Sequence, residues 1–380
     1  MVKRGALGEA GRREALAERC RVQAGFCRAL GSPLYAELLE RAAADAETGG
    51  PVWSVFEGQA EMPADSAPLV LMGAVHRLVL TGEAPELAPF YPSATVASGT
   101  VVREPDIEGV WAAFRSLLSR EAERVRGLMD RPVQTNEVGR SGALLGGFLT
   151  VARSFPGLSL RLAEIGAAAG LNLRWDRYRY ESGGAAWGDP GSPVRFVDVF
   201  SGGGGPLEGG APVSVPVAER AGCDLSPVDP GTGEGRLTLM SFVWADQVER
   251  FARLRGALEI AREVPASVEA ADAFDWLPSR LAAAAPGTAL VVFHSVVTLY
   301  FTPDERLRLA SLLEETGFRA TRESPVAWLR MEHPDTGDPA ARGWSRLGKP
   351  EVRLTVWPGG EERLLARSAA HGPPVEWLGR

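Results

Sequence analysis

Cysteine and histidine are scarce in this chain of 380 residues, and each scarcity removes a class of protein. Cys20, Cys27 and Cys223 form no CxxC pair and leave an odd count, which argues against a disulfide framework and suits a reducing compartment. The four histidines, His76, His294, His333 and His371, lie far apart, with no HExxH and no Cys/His ligand cluster. A metal hydrolase is disfavoured and no metal is expected. Long apolar runs are missing too: Lys3, Arg4, Arg12 and Arg13 have no hydrophobic stretch behind them. Neither a secretory signal nor a membrane span is therefore expected, and the cytoplasm is the default location. The net charge is −7 and the basic residues are scattered among acids, so nucleic acid and membrane are unexpected partners. By contrast, 45% hydrophobic content and this length are enough for two domains with a sizeable core.

The first 130 residues read as an all-helical domain. Helical periodicity runs from Glu14 to Ala46 with a break at Ser32-Pro33, where serine is the expected N-cap and proline the first helical residue. A further helix starts near Ser66 and stops near Gly82, with His76 as a packed or surface residue inside it. Ile107 to Met129 is strongly amphipathic through Val110, Phe114, Leu117 and Val125. The stretch QTNEVGRSG then leads into an apolar helix through Leu144, Leu145, Phe148 and Val151, with Glu137 and Arg140 at its start. From residue 131 onward strands alternate with helices. Strands are expected over Val213–Leu225, Val268–Ala273, Ala289–Val297 and Phe318–Met331, and helices over Leu239–Glu263, Leu277–Ala285 and Pro303–Thr316. Val352–Val356 and Arg363–Ala366 close the chain as a hairpin across WPGGEE. Residues 173–215 read as a loop insertion, with the glycine-rich Ser201–Gly210 expected to be mobile.

The central stretch is Leu160 to Asn172, LRLAEIGAAAGLN: an apolar strand ending in Glu164, a tight turn over Gly166, Ala168 and Gly170, and a helix start. Small residues let main-chain N–H groups approach a ligand, and a helix N-terminus favours negative charge. A dinucleotide fingerprint places its acid about 20 residues after the glycines. Here the acid comes first. The spacing resembles the acid-x-G-x-G-x-G loop of class I S-adenosylmethionine-dependent methyltransferases, with Ala168 where the middle glycine is usual. Strands alternating with helices imply a parallel sheet, and a closing antiparallel hairpin is shared with that family.

The resemblance implies roles for particular residues. The loop, Glu164 through Asn172, would carry the methionine end of the cofactor. Asp224, in GCDLSP, would hold its ribose, and Asp272, Ala273 and Phe274 would flank its adenine. His294, in Phe293-His294-Ser295 at the end of the fourth strand, lies where the transferable methyl would point and is the candidate base. Glu137, Arg140 and Tyr178 are candidates for binding the acceptor. The chain as a whole also resembles a family of uncharacterised bacterial proteins, a domain of unknown function grouped with methyltransferase-like Rossmann proteins. The stretches that carry this are QTNEVGRS, EIGAAAGLNLRWDRYRY, WGDPGSPV, GCDLSP, FHSVV and VRLTVWPGGEERLL.

The expectation is an α/β protein: a Rossmann-like class I methyltransferase sheet at 131–380 behind a helical domain at 1–130. It would use S-adenosylmethionine to methylate a small molecule. A non-catalytic binding or scaffold protein that keeps the fold is the alternative, and a nucleotide-dependent oxidoreductase the third reading.

Overall fold

The computed structural model describes residues 8–57, 66–98, 106–130, 133–208, 213–282, 285–334 and 348–379. It divides into two compact units, Met1–Thr135 with Glu234–Phe251, and Asn136–Gly233 with Ala252–Arg380. The first unit is helical: α1 (Glu9–Ala29), α2 (Pro33–Glu47), α3 (Pro51–Phe56), α4 (Ala67–Leu80), α5 (Pro92–Ser98) and α6 (Ile107–Leu128). Leu38, Leu39, Leu71, Phe114 and Leu117 meet in its core, and so do Trp244 and Ala245. A boundary at 130/131 assigns those last two to the sheet. Periodicity shows that a segment is amphipathic but not which core it joins.

Residues 234–251 are fastened into the helical unit by hydrogen bonds that sequence spacing does not reveal. The Asp246 carboxylate accepts the Leu34 N–H at 3.0 Å and the Ser32 hydroxyl, so Asp246 caps α2 in place of the expected Ser32. Fully buried His76 sits between the Ser241 carbonyl (3.1 Å) and the Ser93 hydroxyl (2.8 Å). Burial lowers its pKa to about 4, against a partial upward pull from backbone hydrogen bonds, so the ring is a neutral packed residue. The expected helix Leu239–Glu263 is two helices, Gly233–Ser241 and Val248–Glu263.

The second unit begins with α7 (Arg140–Ser154) and is built on β1 (Ser159–Ile165), β5 (Val217–Asp224), β6 (Ser267–Ala270), β7 (Thr288–Ser295), β8 (Val326–Glu332), β9 (Glu351–Trp357), β10 (Glu361–Ala369) and β11 (Gly372–Trp377). These eight strands form one sheet in the order β11-β10-β9-β8-β7-β1-β5-β6. The run from β6 through β8 is parallel, and β8 to β11 is an antiparallel meander. The expected closing hairpin is there as β9 and β10, extended by β11. From β1 the chain adds strands on one side, β5 then β6, and crosses to the other for β7 and β8. That reversal between β1 and β7 is a topological switch point, where open α/β sheets form a crevice at the carboxyl ends of their strands.

Two expectations fail between β1 and β5. No α-helix follows the glycine turn, only a six-residue 3₁₀ segment, Asn172–Arg177. The carbonyls a helix would use are taken by side chains: the Arg174 guanidinium holds those of Gly170 (2.7 Å) and Ala169 (3.4 Å), and the Tyr178 hydroxyl donates to that of Leu171 (2.6 Å). The region read as a loop insertion, 173–215, contains a second sheet, β3-β2-β4, made of β2 (Arg179–Ser182), β3 (Ala185–Trp187) and β4 (Arg195–Phe196). The stretch expected to be mobile folds as far as Glu208, with Pro206 buried and the Ser182 hydroxyl donating to the Gly203 carbonyl at 2.7 Å. Gly209 and Gly210 lie outside the described residues.

Candidate functional site

The carboxyl edge at the switch point gathers most of the candidates. Gly166 and Gly170 have left-handed backbone angles (φ 70° and 67°), as a tight turn after β1 requires, and Ala168 shares that conformation (φ 51°) despite its Cβ. A Cβ at Gly170 would stand 2.9 Å from the Val268 side chain, and one at Gly166 2.8 Å from that of Val297. Both glycines are therefore needed by the chain's own packing.

The turn's N–H groups are engaged within the protein. Gly166 and Ala167 donate to the Cys223 carbonyl (2.9 and 3.0 Å), Ala168 to the Asp224 carboxylate (2.9 Å), and Gly170 to the Ala167 carbonyl (2.6 Å). Ala169 and Leu171 both donate to the Asn136 side-chain oxygen (3.2 and 2.8 Å). With every amide from Gly166 to Leu171 bonded internally and no α-helix beginning behind them, the turn is a braced corner rather than an anion cradle. Asn136, flanking the two candidates in QTNEVGRS, is the brace. Its contacts are 33 and 35 residues away, which no local pattern reports.

What the turn leaves unsatisfied is Glu164. This carboxylate is 2% exposed, and its Oε2 has no hydrogen-bond partner among the described residues. Burial drives its pKa well above the usual carboxylate range, against the Arg140 and Arg174 charges and a hydrogen bond from Asn172, while Asp224 adds to the rise. Asn172 is itself set by the Ser141 hydroxyl, which donates to its Oδ1 at 2.6 Å. Arg140, at the head of α7, donates to the Ser295 carbonyl at the end of β7 (2.9 Å). Glu137 accepts the Gly139 N–H (3.0 Å) and is buried, so it shapes the entry to α7. Asp224 accepts Ala168 with one oxygen and Ser226 with the other, 2.9 Å each. Asp176, in the 3₁₀ segment, is held by both terminal nitrogens of Arg220 at 2.6 Å.

Three expected site groups are engaged in the chain's own packing. Tyr178 is fully buried and its hydroxyl is bonded to Leu171, so it holds the turn and offers nothing to an acceptor. Ala273 and Phe274 belong to the core, where the Phe274 ring packs on Phe301 (5.5 Å between centroids) under the Arg308 guanidinium. Asp272 caps the helix Ala273–Ala282 through the Phe274 N–H (2.8 Å). His294 has both ring nitrogens occupied: Nδ1 lies 2.6 Å from the Glu332 carboxylate, and Trp328 Nε1 donates to Nε2 at 3.0 Å. It is 0% exposed, a satisfied core residue rather than an available base. The pleat alone separates it from Glu164. Glu164 pairs with Phe293 and Ile165 with His294, so the two side chains leave the sheet on opposite faces.

Sequence reading passed over Glu332, the last residue of β8, whose only local signal is an acid at a strand end like that of Glu164. It is 8% exposed and accepts from His294, from the Val297 N–H (3.0 Å), and from the Thr298 N–H and hydroxyl (3.3 and 2.8 Å). Burial raises its pKa, but these donors outweigh it, led by His294, and the net shift is downward.

Residues 17–377 match the model of a family described as an uncharacterized protein conserved in bacteria, domain of unknown function 2332. The chain belongs to this family. The match takes in the helical unit from α1 as well as the whole sheet, so the glycine turn, Asn136, Glu164 and Glu332 all lie within it. No curated protein and no solved structure matches the chain. Among the described residues, no helix is long and apolar enough to cross a membrane.

Proposed function

We propose that the switch-point edge binds S-adenosylmethionine and that the protein is a methyltransferase acting on a small molecule. The observation that carries this reading is Glu164: a buried carboxylate with an unpartnered oxygen, beside a guanidinium, where a parallel sheet opens its crevice. Such a group needs a donor or a cation. The amino-acid end of the cofactor supplies an ammonium for Glu164 and a carboxylate for Arg140, so recognition at that end runs through side chains and not through the turn's amides. Asp224, at the end of β5 beside the turn, is the carboxylate that would meet the ribose hydroxyls. When bound, the group supplies an activated methyl. The chain's own part is to position an acceptor, and with His294 engaged the acceptor must carry a free lone pair of its own.

The non-catalytic reading has its own support, because a turn with all its amides bonded and a histidine with both nitrogens occupied suit a scaffold. The oxidoreductase reading loses ground, since a dinucleotide pyrophosphate needs the helix N-terminus that the 3₁₀ segment replaces. Calorimetry with S-adenosylhomocysteine and NAD tests the proposal. S-adenosylhomocysteine should bind, NAD should not, and Glu164→Gln should weaken the former at least about tenfold, the worth of a charge-assisted hydrogen bond. Absence of heat with S-adenosylhomocysteine at millimolar concentration would end the cofactor proposal. Binding without methyl transfer to any acceptor would favour the scaffold.

A further inference from the structure

Glu164, Phe293, Leu329, Leu354 and Arg363 are paired in one row across β1, β7, β8, β9 and β10, so their side chains leave the sheet on the same face. That face is covered by α7: Phe148 meets Phe293 edge-on, and Gly147 sits against the Leu329 side chain. Phe293, Leu329 and Leu354 are buried, whereas Arg363, four strand spacings or about 19 Å from Glu164, is exposed. Beside the last turn of α7 the face opens into a cavity of about 490 Å³. Thr150, Arg153 and Ser154 line it from α7, Glu208 from the turn after the second sheet, Arg363 from β10 and Trp377 from β11. The volume is that of a small-molecule site.

Elsewhere on these strands the arginines are neutralised: Arg330 and Arg353 pair with Glu362, and Arg353 and Arg367 with Glu351. Among the described residues Arg363 has no acid and no hydrogen-bond partner, and Arg153 donates to the Pro206 carbonyl (2.7 Å) but meets no acid. Glu208, the carboxylate in the lining, has one oxygen committed to the Gly204 N–H. Two guanidiniums against one acid leave the cavity short of an anion. The hydroxyls have the opposite need. Thr150 donates to the Gly146 carbonyl (2.7 Å) and Ser154 to that of Thr150 (2.9 Å), so each keeps only lone pairs for a ligand. Trp377 is a fixed wall, because a Cβ at Gly146 or Gly379 would run into its ring and Phe200 meets it edge-on (6.1 Å between centroids). We propose that this cavity is a second ligand site, separate from the switch-point edge, for a hydroxylated ring bearing an anionic group: a sugar phosphate or a sugar acid. The Arg363 and Arg153 guanidiniums take the anion. Ligand hydroxyls donate to the Thr150 and Ser154 oxygens and to Glu208, and the apolar face of the ring lies on Trp377. A purely aromatic acid fits less well, since it would leave those oxygens without donors.

Calorimetry on the full-length chain tests the site with glucose 6-phosphate and glucuronate, which differ in the source of the anion, and with glucose and inorganic phosphate, which each carry half of the ligand. At least one of the two anionic sugars should bind at millimolar concentration or below, and at least about tenfold more tightly than glucose or phosphate alone. Whichever binds identifies the anion. Arg363→Gln, a change at an exposed position that should leave the melting temperature unaltered, should weaken that binding at least about tenfold, the loss of a charge-assisted hydrogen bond. Glu164→Gln should leave it unchanged, because the two positions are far apart and share no partner. Absence of heat with both anionic sugars, affinity no better than that for phosphate, or binding indifferent to Arg363→Gln would overturn the site. Binding lost in Glu164→Gln would overturn it too, by placing the sugar at the switch-point edge. Each result stands whether or not S-adenosylhomocysteine binds.

Discussion

Two buried glutamates stand at the same carboxyl edge, Glu164 in β1 and Glu332 at the end of β8, and their surroundings have driven them apart. Glu332 receives four donated hydrogen bonds and its pKa is lowered despite burial. Glu164 has an oxygen with no donor and a pKa that burial pushes well up. Neither residue type nor depth distinguishes them. The difference lies in where the neighbouring strand connection sends its N–H groups: Glu332 receives those of Val297 and Thr298, and the Glu164 Oε2 receives none among the described residues.

The sharpest way to break this contrast is Glu332→Ala, which strands the His294 ring N–H, two main-chain amides and a hydroxyl. Stability should fall by about 3 kcal/mol, the cost of leaving several buried donors without the carboxylate that accepts them, seen as a lower urea midpoint at unchanged slope. A loss under about 1 kcal/mol would mean that the donors find water and that Glu332 holds nothing. Next in size is His294→Ala, which should cost about 2 kcal/mol while leaving S-adenosylhomocysteine affinity unaltered. An intact melting curve with lost methyl transfer would instead return His294 to the site.

Glu164→Gln sharpens the contrast through pH. A carboxyl whose folded pKa lies above its unfolded value stabilises the fold fully below the unfolded value, near 4.5, and that stability is lost as pH rises through the folded pKa. Glu332 runs the other way: its contribution is present above about 4.5 and is lost as pH falls through its lowered folded pKa. Glu164→Gln should therefore raise the melting temperature at pH 8 and lose that advantage near pH 4. A melting temperature insensitive to this substitution across the range would show that Glu164 is hydrated. The smallest effect belongs to the turn itself. Ala168→Gly removes a left-handed strain of about 1 kcal/mol and adds some chain entropy cost, for a net gain of about 0.5 kcal/mol in thermal denaturation. A loss in its place would show that the Ala168 methyl packs usefully.

Much of the frame was legible in the order of residues. The continuous apolar run of β7 marks a strand buried on both faces, the alternation from β1 to β8 marks a parallel sheet, and an acid before three small-residue positions marks the turn after β1. These signals are local, and the chain carries them wherever it goes. The site was legible only as a neighbourhood: Glu164, Arg140, Asn172 and Asp224 do meet, whereas Tyr178, Phe274 and His294 are drawn into the core.

Partners were beyond reach of the sequence, because a hydrogen bond is made by whichever group the fold brings within 3 Å. Asn136 braces amides 33 and 35 residues on, Glu332 latches one 35 residues back, and Asp246 caps a helix 212 residues earlier. Tertiary structure decided which glycine-turn amides were free, which face of β7 carries His294, and which core receives residues 234–251. Each depends on satisfying a buried polar group or covering an apolar one at long range, and periodicity, which counts only along the chain, has no access to either.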